Sequence, residues 1–482
     1  MKKIIIIFSA ILLFCSCKKV LEEVPKDFIS KANYYQNASD AQGAITGVYS
    51  SFSNNYNIDY WLFLVLHTDY DDGRGSQAPI SFFDQLLDQS NIDRAGRIWS
   101  SFYTTINRAN SVIDNVPDIN MDENTKTIVL AEAHFLRAMC YFNLVRGFGA
   151  VPIKTKESVD ISSIASPRKP VDSVYQLILS DALIAEQGLP GSVGTSTGKA
   201  SVWAAKMLLA EVYLTIEKWD DAAREANDII ENGPYSLVSV QKPNDFYKIF
   251  ASDYNSEDIL SIHFSPTSTS QVPTFMHRAN TPPYNYGSSG YYAWLPRLNS
   301  FIGNSWNNDD LRKGFNLYTK YIGPNGDSVS LPSSSPVLFG KFISDPQGLN
   351  TYSLPVYRFS EALLIYAEAA SMANGSPTQL ALERLNMIKR RAYGYDPAIV
   401  SPVDYKDGMS KAAFRDTVLQ ERAYEFILEG KRWWDLKRTG TVKEALAAVG
   451  KNFIDARLFW PIAENEINNN PDIGQSNQNP GY

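Results

Sequence analysis

The chain has 482 residues, a formal charge of −7, and 27 Tyr, 24 Phe and 9 Trp against 3 Cys and 4 His. A chain of this length can bury a large core without disulfides, and its 44% hydrophobic and 20% charged residues exclude a disordered or a multispanning membrane protein. The negative charge argues against binding to a nucleic-acid backbone.

The N-terminus has the pattern of a secretory signal. Two lysines precede an apolar run over residues 4–14, which is too short to span a bilayer permanently. The run ends at Cys15, Ser16 and Cys17, and this ending resembles a bacterial lipobox in which a small residue precedes the lipidated cysteine. We expect residues 1–16 to be the signal peptide and Cys17 to carry the lipid, with an ordinary signal peptide as the alternative.

The next part of the chain is predicted to be helical. Residues 17–38 are predicted to form a tether that carries the lipid anchor. Capping residues and apolar residues spaced three and four apart then predict helices at about 39–49, 95–115, 122–147 and 170–186. A Gly/Ser/Thr-rich stretch over 188–198 predicts a loop.

Residues 201–232 predict a pair of packed helices. Ala222, Ala223 and Ala226 would form a small-residue face that lets two helices approach closely. This arrangement resembles a tetratricopeptide helix pair, and a generic helical hairpin is the alternative.

The composition changes between residues 233 and 355. Pro, Gly, Ser and Asn cluster there and helical periodicity disappears, with a short strand expected at 259–262. A loop of this length that is rich in aromatic residues is typical of a functional segment. Helices are predicted to return at 357–373, 378–391 and 411–438, and the last forty residues to end in an Asn-rich coil.

These patterns predict a mainly α fold. One domain would cover residues 39–482, and its helical scaffold would comprise 39–232 and 356–440. Residues 233–355 would be a loop-rich insertion that faces the ligand, and residues 441–482 a C-terminal segment.

The sequence contains no recognisable catalytic or metal-binding motif. The histidines lack HExxH spacing, Cys140 is the one thiol beyond the signal, and GxSxG, GxxxxGK[ST] and GxGxxG patterns are absent. Asp69, Asp71 and Asp72 lack the later glutamate of a calcium loop, so we expect a turn with solvated acids. We expect neither a metal nor a cofactor.

Three glutamates repeat at four-residue spacing near the C-terminus. Glu421, Glu425 and Glu429 alternate with basic residues and precede Trp433 and Trp434. A glycosidase would need two carboxylates that flank a cleft, whereas alternating charges on a helix face are typical of structural ion pairs. We therefore predict a structural ion-pair cluster, with the catalytic role as the alternative.

Four stretches together resemble the SusD/RagB family of outer-membrane glycan-binding lipoproteins from Bacteroidota. They are Ala133–Arg146 with Gly149–Pro152, Tyr357–Ala369, Glu421–Phe426 with Glu429–Arg438, and Trp460–Ile462 through Gln478–Tyr482. The resemblance implies a SusD-like α-helical fold with tetratricopeptide-like helix pairs. It also implies a lipid-anchored protein of the outer membrane, exposed at the cell surface.

The resemblance further implies a binding function rather than catalysis. Such a protein captures oligosaccharides and passes them to a TonB-dependent SusC-like transporter without hydrolysing them. The family places acidic residues soon after the lipidated cysteine, whereas here Lys18 and Lys19 precede Glu22 and Glu23. The alternatives are a secreted glycoside hydrolase or peptidase without a recognisable motif, and a structural lipoprotein whose helix repeats dock other proteins.

Aromatic residues in polar loops are the candidate ligand contacts. Sugar rings stack on aromatic faces, and their hydroxyls pair with amides, carboxylates and guanidinium groups. The insertion and a second aromatic loop over residues 56–83 supply both, although burial as loop anchors is the alternative for each aromatic. The aromatic candidates are Trp294, Tyr292, Tyr291, Trp306, Tyr284, Tyr286, Trp61 and Tyr70, and the polar candidates are Asp71, Asp72, Arg74 and Asn285.

Overall fold

The structure is a computed structural model of the chain. It describes residues 34–158, 165–195, 197–250, 254–265, 269–272, 276, 294–322, 325–342 and 353–482. The predicted signal peptide, Cys17 and most of the predicted tether lie outside the described residues.

Helices make up most of the described chain, which confirms the predicted mainly α fold. Most of the helices longer than eight residues begin close to the predicted positions because the apolar spacing and the caps are local features of the sequence. The helix predicted at 95–115 begins earlier, at Gln89, and the shorter helices were not predicted as separate elements. The helices are α1 (Ala38–Asn55), α2 (Ile58–Val65), α3 (Gln89–Asn115), α4 (Glu123–Phe148), α5 (Val171–Gly188), α6 (Val202–Thr215), α7 (Trp219–Asn232), α8 (Tyr247–Phe250), α9 (Phe301–Asn304), α10 (Leu311–Asn316), α11 (Phe359–Asn374), α12 (Gln379–Ala392), α13 (Lys411–Glu425), α14 (Arg432–Arg438), α15 (Val442–Ala448) and α16 (Glu464–Asn469).

The long helices form one continuous stack. Helix α3 packs on α1 and α4, and the contacts then run from α4 to α5, α5 to α6 and α6 to α7. Helix α7 packs on α11, which in turn contacts α12 and α13. The segment between α7 and α11 is therefore an insertion in sequence that does not interrupt the stack in space.

The predicted helix pair at 201–232 is confirmed as α6 and α7. Ala222 and Ala226 are fully buried, and Ala223 is partly buried against the core. Small side chains at this contact let the two helix backbones approach closely. Its assignment as a tetratricopeptide unit stays a prediction.

Helix α4 lies at the centre of the stack. It is the one helix among the described residues that is long and apolar enough to cross a membrane, but 83% of its most apolar window is buried in the protein. The high hydropathy of this helix therefore reflects burial within the protein.

The expected loop over residues 56–83 is wrong in part, because it contains helix α2. Asn57 caps this helix by accepting hydrogen bonds from the backbone N–H groups of Asp59 and Tyr60, at 2.9 and 3.3 Å. Nearly all of α2 is buried, so its sequence has no polar face and lacks helical periodicity.

The predicted continuous helix at 411–438 is also wrong, because the chain turns between α13 and α14. Leu428 has φ 62° and Gly430 has φ 73°, and both values are incompatible with a right-handed helix. A Cβ at Gly430 would lie 2.7 Å from Cδ1 of Leu64, so the turn also needs a glycine for space.

Strands occur as short antiparallel pairs, and in the described part of the chain each sheet has two strands. The strand expected at 259–262 is confirmed as one member of such a pair. The pairs are β1 (Asp71–Gly73) with β5 (Trp294–Pro296), β2 (Val151–Pro152) with β3 (Arg168–Lys169), β4 (Asp258–Ile262) with β10 (Leu354–Arg358), β6 (Leu317–Tyr318) with β9 (Leu338–Phe339), and β7 (Lys320–Ile322) with β8 (Ser328–Ser330).

Candidate functional site

Strands β1 and β5 join the two aromatic segments in which the sequence places ligand contacts. Gly73 lies opposite Trp294, and Asp71 opposite Pro296. Beyond the strand pair, the backbone N–H of Arg297 donates to the carbonyl of Tyr70 at 2.8 Å. We call residues 71–74 together with 294–297 the β1–β5 junction, and it brings the two candidate segments together.

The two candidate tryptophans of the insertion are buried. Trp294 is fully buried, and its Nε1 donates to Oε1 of Gln77 at 3.1 Å. Trp306 stacks on Tyr424 with ring centres 5.0 Å apart and planes inclined by 14°. Both rings anchor the insertion to the scaffold, and neither presents an exposed face for a sugar.

The two candidate aromatics of the first segment are buried as well. Trp61 packs edge-on against Phe342, and the hydroxyl of Tyr70 accepts a hydrogen bond from the backbone N–H of Leu428 at 2.9 Å. Burial raises the pKa of Tyr70, so its hydroxyl stays neutral. These two side chains fix α2 and the turn before α14, as the anchoring alternative expects.

The acidic run that the sequence places in a solvated turn is mostly buried, so that expectation is wrong. Asp69 accepts two hydrogen bonds from the Arg432 guanidinium, at 3.0 and 2.6 Å. Asp71 is fully buried, and burial followed by the neighbouring charge of Asp72 raises its carboxyl pKa well above the ordinary range.

Two further polar candidates, Asp72 and Arg74, lie nearer the surface. Asp72 pairs with Arg297 at 2.8 Å and with Lys451 at 2.9 Å, which fastens β1 to the segment after β5 and to the C-terminal segment. Arg74 is exposed directly after β1. Among the polar candidates in the described part of the chain Arg74 is the most exposed, and its contact with a ligand stays a prediction.

The other candidates, Tyr284, Asn285, Tyr286, Tyr291 and Tyr292, lie outside the described residues. The last two precede Trp294 by three and two positions in the sequence. Their contact with a ligand stays a prediction.

The predicted ion-pair cluster near the C-terminus is confirmed, and it is buried. Carboxylate oxygens of Glu425 lie 2.5 Å from Arg358, 2.5 Å from Arg391 and 3.3 Å from Arg312. Burial opposes ionisation of Glu425, but the three guanidinium groups outweigh it and hold its pKa far below the usual range. This cluster ties the insertion, β10 and α12 to α13.

The other two glutamates of the repeat belong to the same buried network. Glu421 accepts from Arg312 at 2.8 Å, and Glu429 pairs with Lys341 at 2.6 Å and Arg358 at 2.8 Å. All three carboxylates are thus paired with cations inside the protein, and Glu429 also borders a small cavity of about 30 Å³. Among the described residues, no group of three His, Cys, Asp or Glu is placed to hold a metal.

Sequence models of two related families match the chain at its two ends. The SusD family matches residues 331–482, and a family described as starch-binding and associating with the outer membrane matches residues 26–214. Among curated proteins, SusD-like protein P2 of Formosa agariphila is 27% identical over 520 aligned positions that cover 100% of both chains. A SusD-like protein of Bacteroides ovatus is 25% identical and covers 90% of this chain and 82% of its own length.

Solved structures show the same fold. A SusD homolog from Bacteroides thetaiotaomicron has a TM-score of 0.79 at 23% identity and covers 94% of this chain and 98% of its own. A laminarin-binding SusD-like protein has a TM-score of 0.74 at 23% identity and covers 93% and 100%.

Proposed function

Because the chain belongs to the SusD/RagB family, we propose that it is a cell-surface lipoprotein that captures oligosaccharides and delivers them to a TonB-dependent SusC-like transporter. The protein binds its ligand without hydrolysing it. The observation that carries this proposal is the match of family models to both ends of a chain whose insertion is fastened to the scaffold at the β1–β5 junction.

The proposed ligand face is the exposed side of the β1–β5 junction. Buried Trp294 and the Asp72 ion pairs hold the two segments in register, while Arg74 offers guanidinium donors at the surface. Tyr291 and Tyr292 are the aromatic contacts proposed here. Guanidinium donors suit sugar hydroxyls, and tyrosine rings suit the C–H faces of pyranose rings.

Weak binding is expected at such a face. If each stacking contact contributes about 1 kcal/mol, a few of them with hydrogen bonds, less the cost of association, give a Kd of roughly millimolar to tens of micromolar. A ligand held much more tightly would leave slowly and block import, because affinity is set mainly by the dissociation rate.

Two arguments support binding without catalysis. Glu421, Glu425 and Glu429 are the candidate acid and base of a glycosidase. All three are paired with buried cations, so they are not free to act in these roles. The family models and the curated relatives are those of SusD-type proteins and indicate no catalytic family.

Affinity electrophoresis of the purified mature protein tests the binding function. We expect gels that contain laminarin, starch or xylan to retard the protein in at least one case, with no reducing sugar released. A Tyr291→Ala/Tyr292→Ala double variant should lose this retardation at an unchanged melting temperature, whereas the exposed Tyr395→Ala control should keep it. Release of reducing sugar, or full retardation of the double variant, would contradict the proposal.

Trp294→Ala should lower stability, whereas the Tyr291→Ala/Tyr292→Ala double variant should lower only binding. Because the ring is buried and hydrogen-bonded to Gln77, Trp294→Ala should cost about 3–5 kcal/mol of unfolding free energy. Urea unfolding measures this loss. An unchanged stability combined with lost polysaccharide binding would instead place Trp294 in the ligand site.

Delivery to a transporter is tested by purification from membranes. A tag on the C-terminus should recover the protein from detergent extracts together with a SusC-like barrel. Recovery of the protein without a barrel, under conditions that preserve other outer-membrane complexes, would contradict the delivery role.

A further inference from the structure

A pocket elsewhere in the protein shares no residue with the β1–β5 junction. It has a volume of about 220 Å³ and lies between the loop after α5 and strand β4. This volume is below the roughly 300–1,000 Å³ typical of pockets for drug-sized ligands, so the pocket suits one small ring. Its polar lining includes Ser201, Tyr235, Tyr254, Asp258, Ser261 and His263, together with Lys199.

Polar groups of different kinds converge on this pocket. One carboxylate oxygen of Asp258 accepts from Oγ of Ser261 at 2.6 Å, and burial raises the pKa of this carboxyl. Nδ1 of His263 is hydrogen-bonded to Oγ of Ser353 at 2.7 Å, which leaves Nε2 as the ring nitrogen for another partner. The pocket therefore offers a carboxylate acceptor and an imidazole side by side.

A buried hydroxyl also borders the pocket. Ser201 is 3% exposed, and its Oγ has no hydrogen bond of normal geometry within the described part of the chain. It lies close enough to the Tyr235 hydroxyl to lower the pKa of that group slightly, although burial still raises the pKa of Tyr235 to about 12. A hydroxyl has one donor and two acceptor positions, so a ligand hydroxyl here would pair with a position of Ser201 that Tyr235 does not use.

Two tyrosines supply the apolar surface. Tyr254 is 57% exposed at the edge of the pocket, and Tyr235 is half-buried within the lining. An exposed ring beside hydroxyl, carboxylate and imidazole groups matches the two kinds of surface on a sugar ring, apolar C–H faces and a polar rim.

The loop that covers the pocket is rich in glycine, serine and threonine. Gly194 has φ 78° and Gly198 has φ 63°, and a Cβ at Gly198 would lie 3.4 Å from Cδ2 of His263. Nε1 of Trp203 donates to the carbonyl of Gly191 at 3.0 Å and fastens the loop to α6. The loop thus comes close to the pocket wall without filling it.

We propose that this pocket is a second carbohydrate subsite, which binds a single neutral pyranose ring. The inference rests on the proposed function for the class of ligand but not for the place where it binds. A neutral ring is expected because the Asp258 carboxylate would repel an acidic sugar and accept hydrogen bonds from a neutral one. The Lys199 cation of the lining is already paired with Glu132 at 3.5 Å, so it does not reverse this preference.

Saturation-transfer NMR on the full mature protein tests this subsite. The probes are methyl α-D-glucopyranoside, methyl β-D-galactopyranoside and, as the acidic counterpart, methyl α-D-glucopyranosiduronate. At least one neutral glycoside should bind, and Tyr254→Ala and Asp258→Asn should each weaken its binding at least tenfold. Tyr254 is exposed, and Asp258→Asn keeps a hydrogen-bond acceptor for Ser261, so both variants should fold.

Matched variants separate this proposal from the proposed function. Tyr395→Ala should leave glycoside binding unchanged. In the Tyr291→Ala/Tyr292→Ala double variant, which removes the proposed junction contacts, glycoside binding should persist and should then be lost when Tyr254→Ala is added. Binding that survives Tyr254→Ala but is lost in the double variant would overturn the second subsite and support the junction.

The polysaccharide assay distinguishes a failure of the second subsite from a failure of the proposed function. Polysaccharide retardation without binding of any neutral glycoside would overturn the second subsite alone. Stronger binding of the uronate than of its neutral counterpart would also overturn it. Glycoside binding that depends on Tyr254 in a protein that no polysaccharide retards would support the subsite and contradict the proposed function.

Discussion

Asp71 and Asp72 are neighbours in sequence but lie in opposite electrostatic environments. Asp72 is partly exposed and pairs with Arg297 and Lys451, whereas Asp71 is fully buried. Burial and the Asp72 charge raise the pKa of Asp71, and the Lys451 ammonium offsets them only in part. The native protein therefore holds Asp71 protonated at pH values where the unfolded chain would ionise it.

This difference in pKa between the folded and unfolded states predicts that Asp71 makes the stability of the protein depend on pH. In the unfolded chain Asp71 titrates at about pH 3.9. The favourable contribution of its protonated form to the unfolding free energy is therefore complete below that pH and is lost as the pH rises through the higher pKa of the folded state. Asp71→Asn should raise the unfolding free energy at pH 8 by about 1–3 kcal/mol and change it little at pH 4. Urea titrations at both pH values measure this effect.

Asp72→Asn is the matched control. It removes the ion pairs to Arg297 and Lys451, so it should lower stability at pH 8 instead of raising it. An Asp71→Asn effect of the same size at pH 8 and at pH 4 would show that the pKa of Asp71 is not raised in the native protein.

At the scale of elements, the turn between α13 and α14 places charged side chains in the core. Glu425, at the end of α13, pairs with Arg312, Arg358 and Arg391, which lie on other elements. Removing one partner from a buried ion network leaves uncompensated charge, which costs far more than losing an exposed pair. Glu425 is a shared partner of the three cations, so neutralising it would affect all of them.

Glu425→Gln should consequently destabilise the protein by about 3–5 kcal/mol of unfolding free energy. The control is Arg224→Ala, whose guanidinium side chain is 59% exposed and pairs with Asp221 and Glu225, and which should cost less than about 1 kcal/mol. Chemical denaturation of both variants measures the difference. Equal small losses would contradict a structural role for the buried network.

Helix α4 meets the C-terminal segment at a position that admits only glycine. The backbone N–H of Trp460 donates to the carbonyl of Gly147 at 2.9 Å, and a Cβ at Gly147 would lie 2.7 Å from Cε3 of Trp460. Gly147→Ala should therefore destabilise the protein by about 1–3 kcal/mol through overpacking. The matched change is Gly47→Ala in α1, where a Cβ meets nothing within 4 Å.

Gly47→Ala should stabilise the protein by about 0.5–1 kcal/mol, because alanine loses less conformational entropy than glycine in a helix. Differential scanning calorimetry should show melting temperatures that move in opposite directions for the two variants. Two shifts of the same sign would mean that helix propensity, and not the contact with Trp460, decides the effect at Gly147.

At the scale of the whole molecule, the lipid anchor decides where the binding face operates. Each buried methylene of an acyl chain contributes about 0.8 kcal/mol, so two or three chains hold a protein on a membrane. Cys17→Ser should therefore move the protein from the membrane fraction to the soluble fraction. Cys15→Ser is the control and should leave it in the membrane fraction, because Cys15 lies in the predicted signal peptide.

Immunoblots of separated membrane and soluble fractions measure this outcome, and protease treatment of intact cells reports exposure at the surface. Membrane retention of the Cys17→Ser protein would contradict lipidation at this residue. Protection of the wild-type protein from added protease would contradict its display on the outer leaflet.

The sequence by itself determined the helical scaffold and the structural nature of the C-terminal ion pairs. Helical periodicity, caps and breakers are local, so α3 to α7 and α11 to α13 could be predicted from neighbouring residues. The alternating charges around Glu425 predicted that it forms ion pairs. They did not predict that these pairs are buried or that the insertion supplies one of the partners. The motif stretches also predicted the family before any fold was known.

Only the tertiary structure decided which aromatic side chains can meet a ligand. Trp306 lies among asparagines and Tyr70 beside aspartates, which suggests exposure, and Trp294 and Trp61 lie in segments predicted to be loops. All four are nevertheless buried by residues distant in the chain. Burial depends on which segments pack together, and the pairing of β1 with β5 has no local signal in strands of three residues. The same physical reason hid helix α2, whose sequence lacks periodicity because protein surrounds it on all sides.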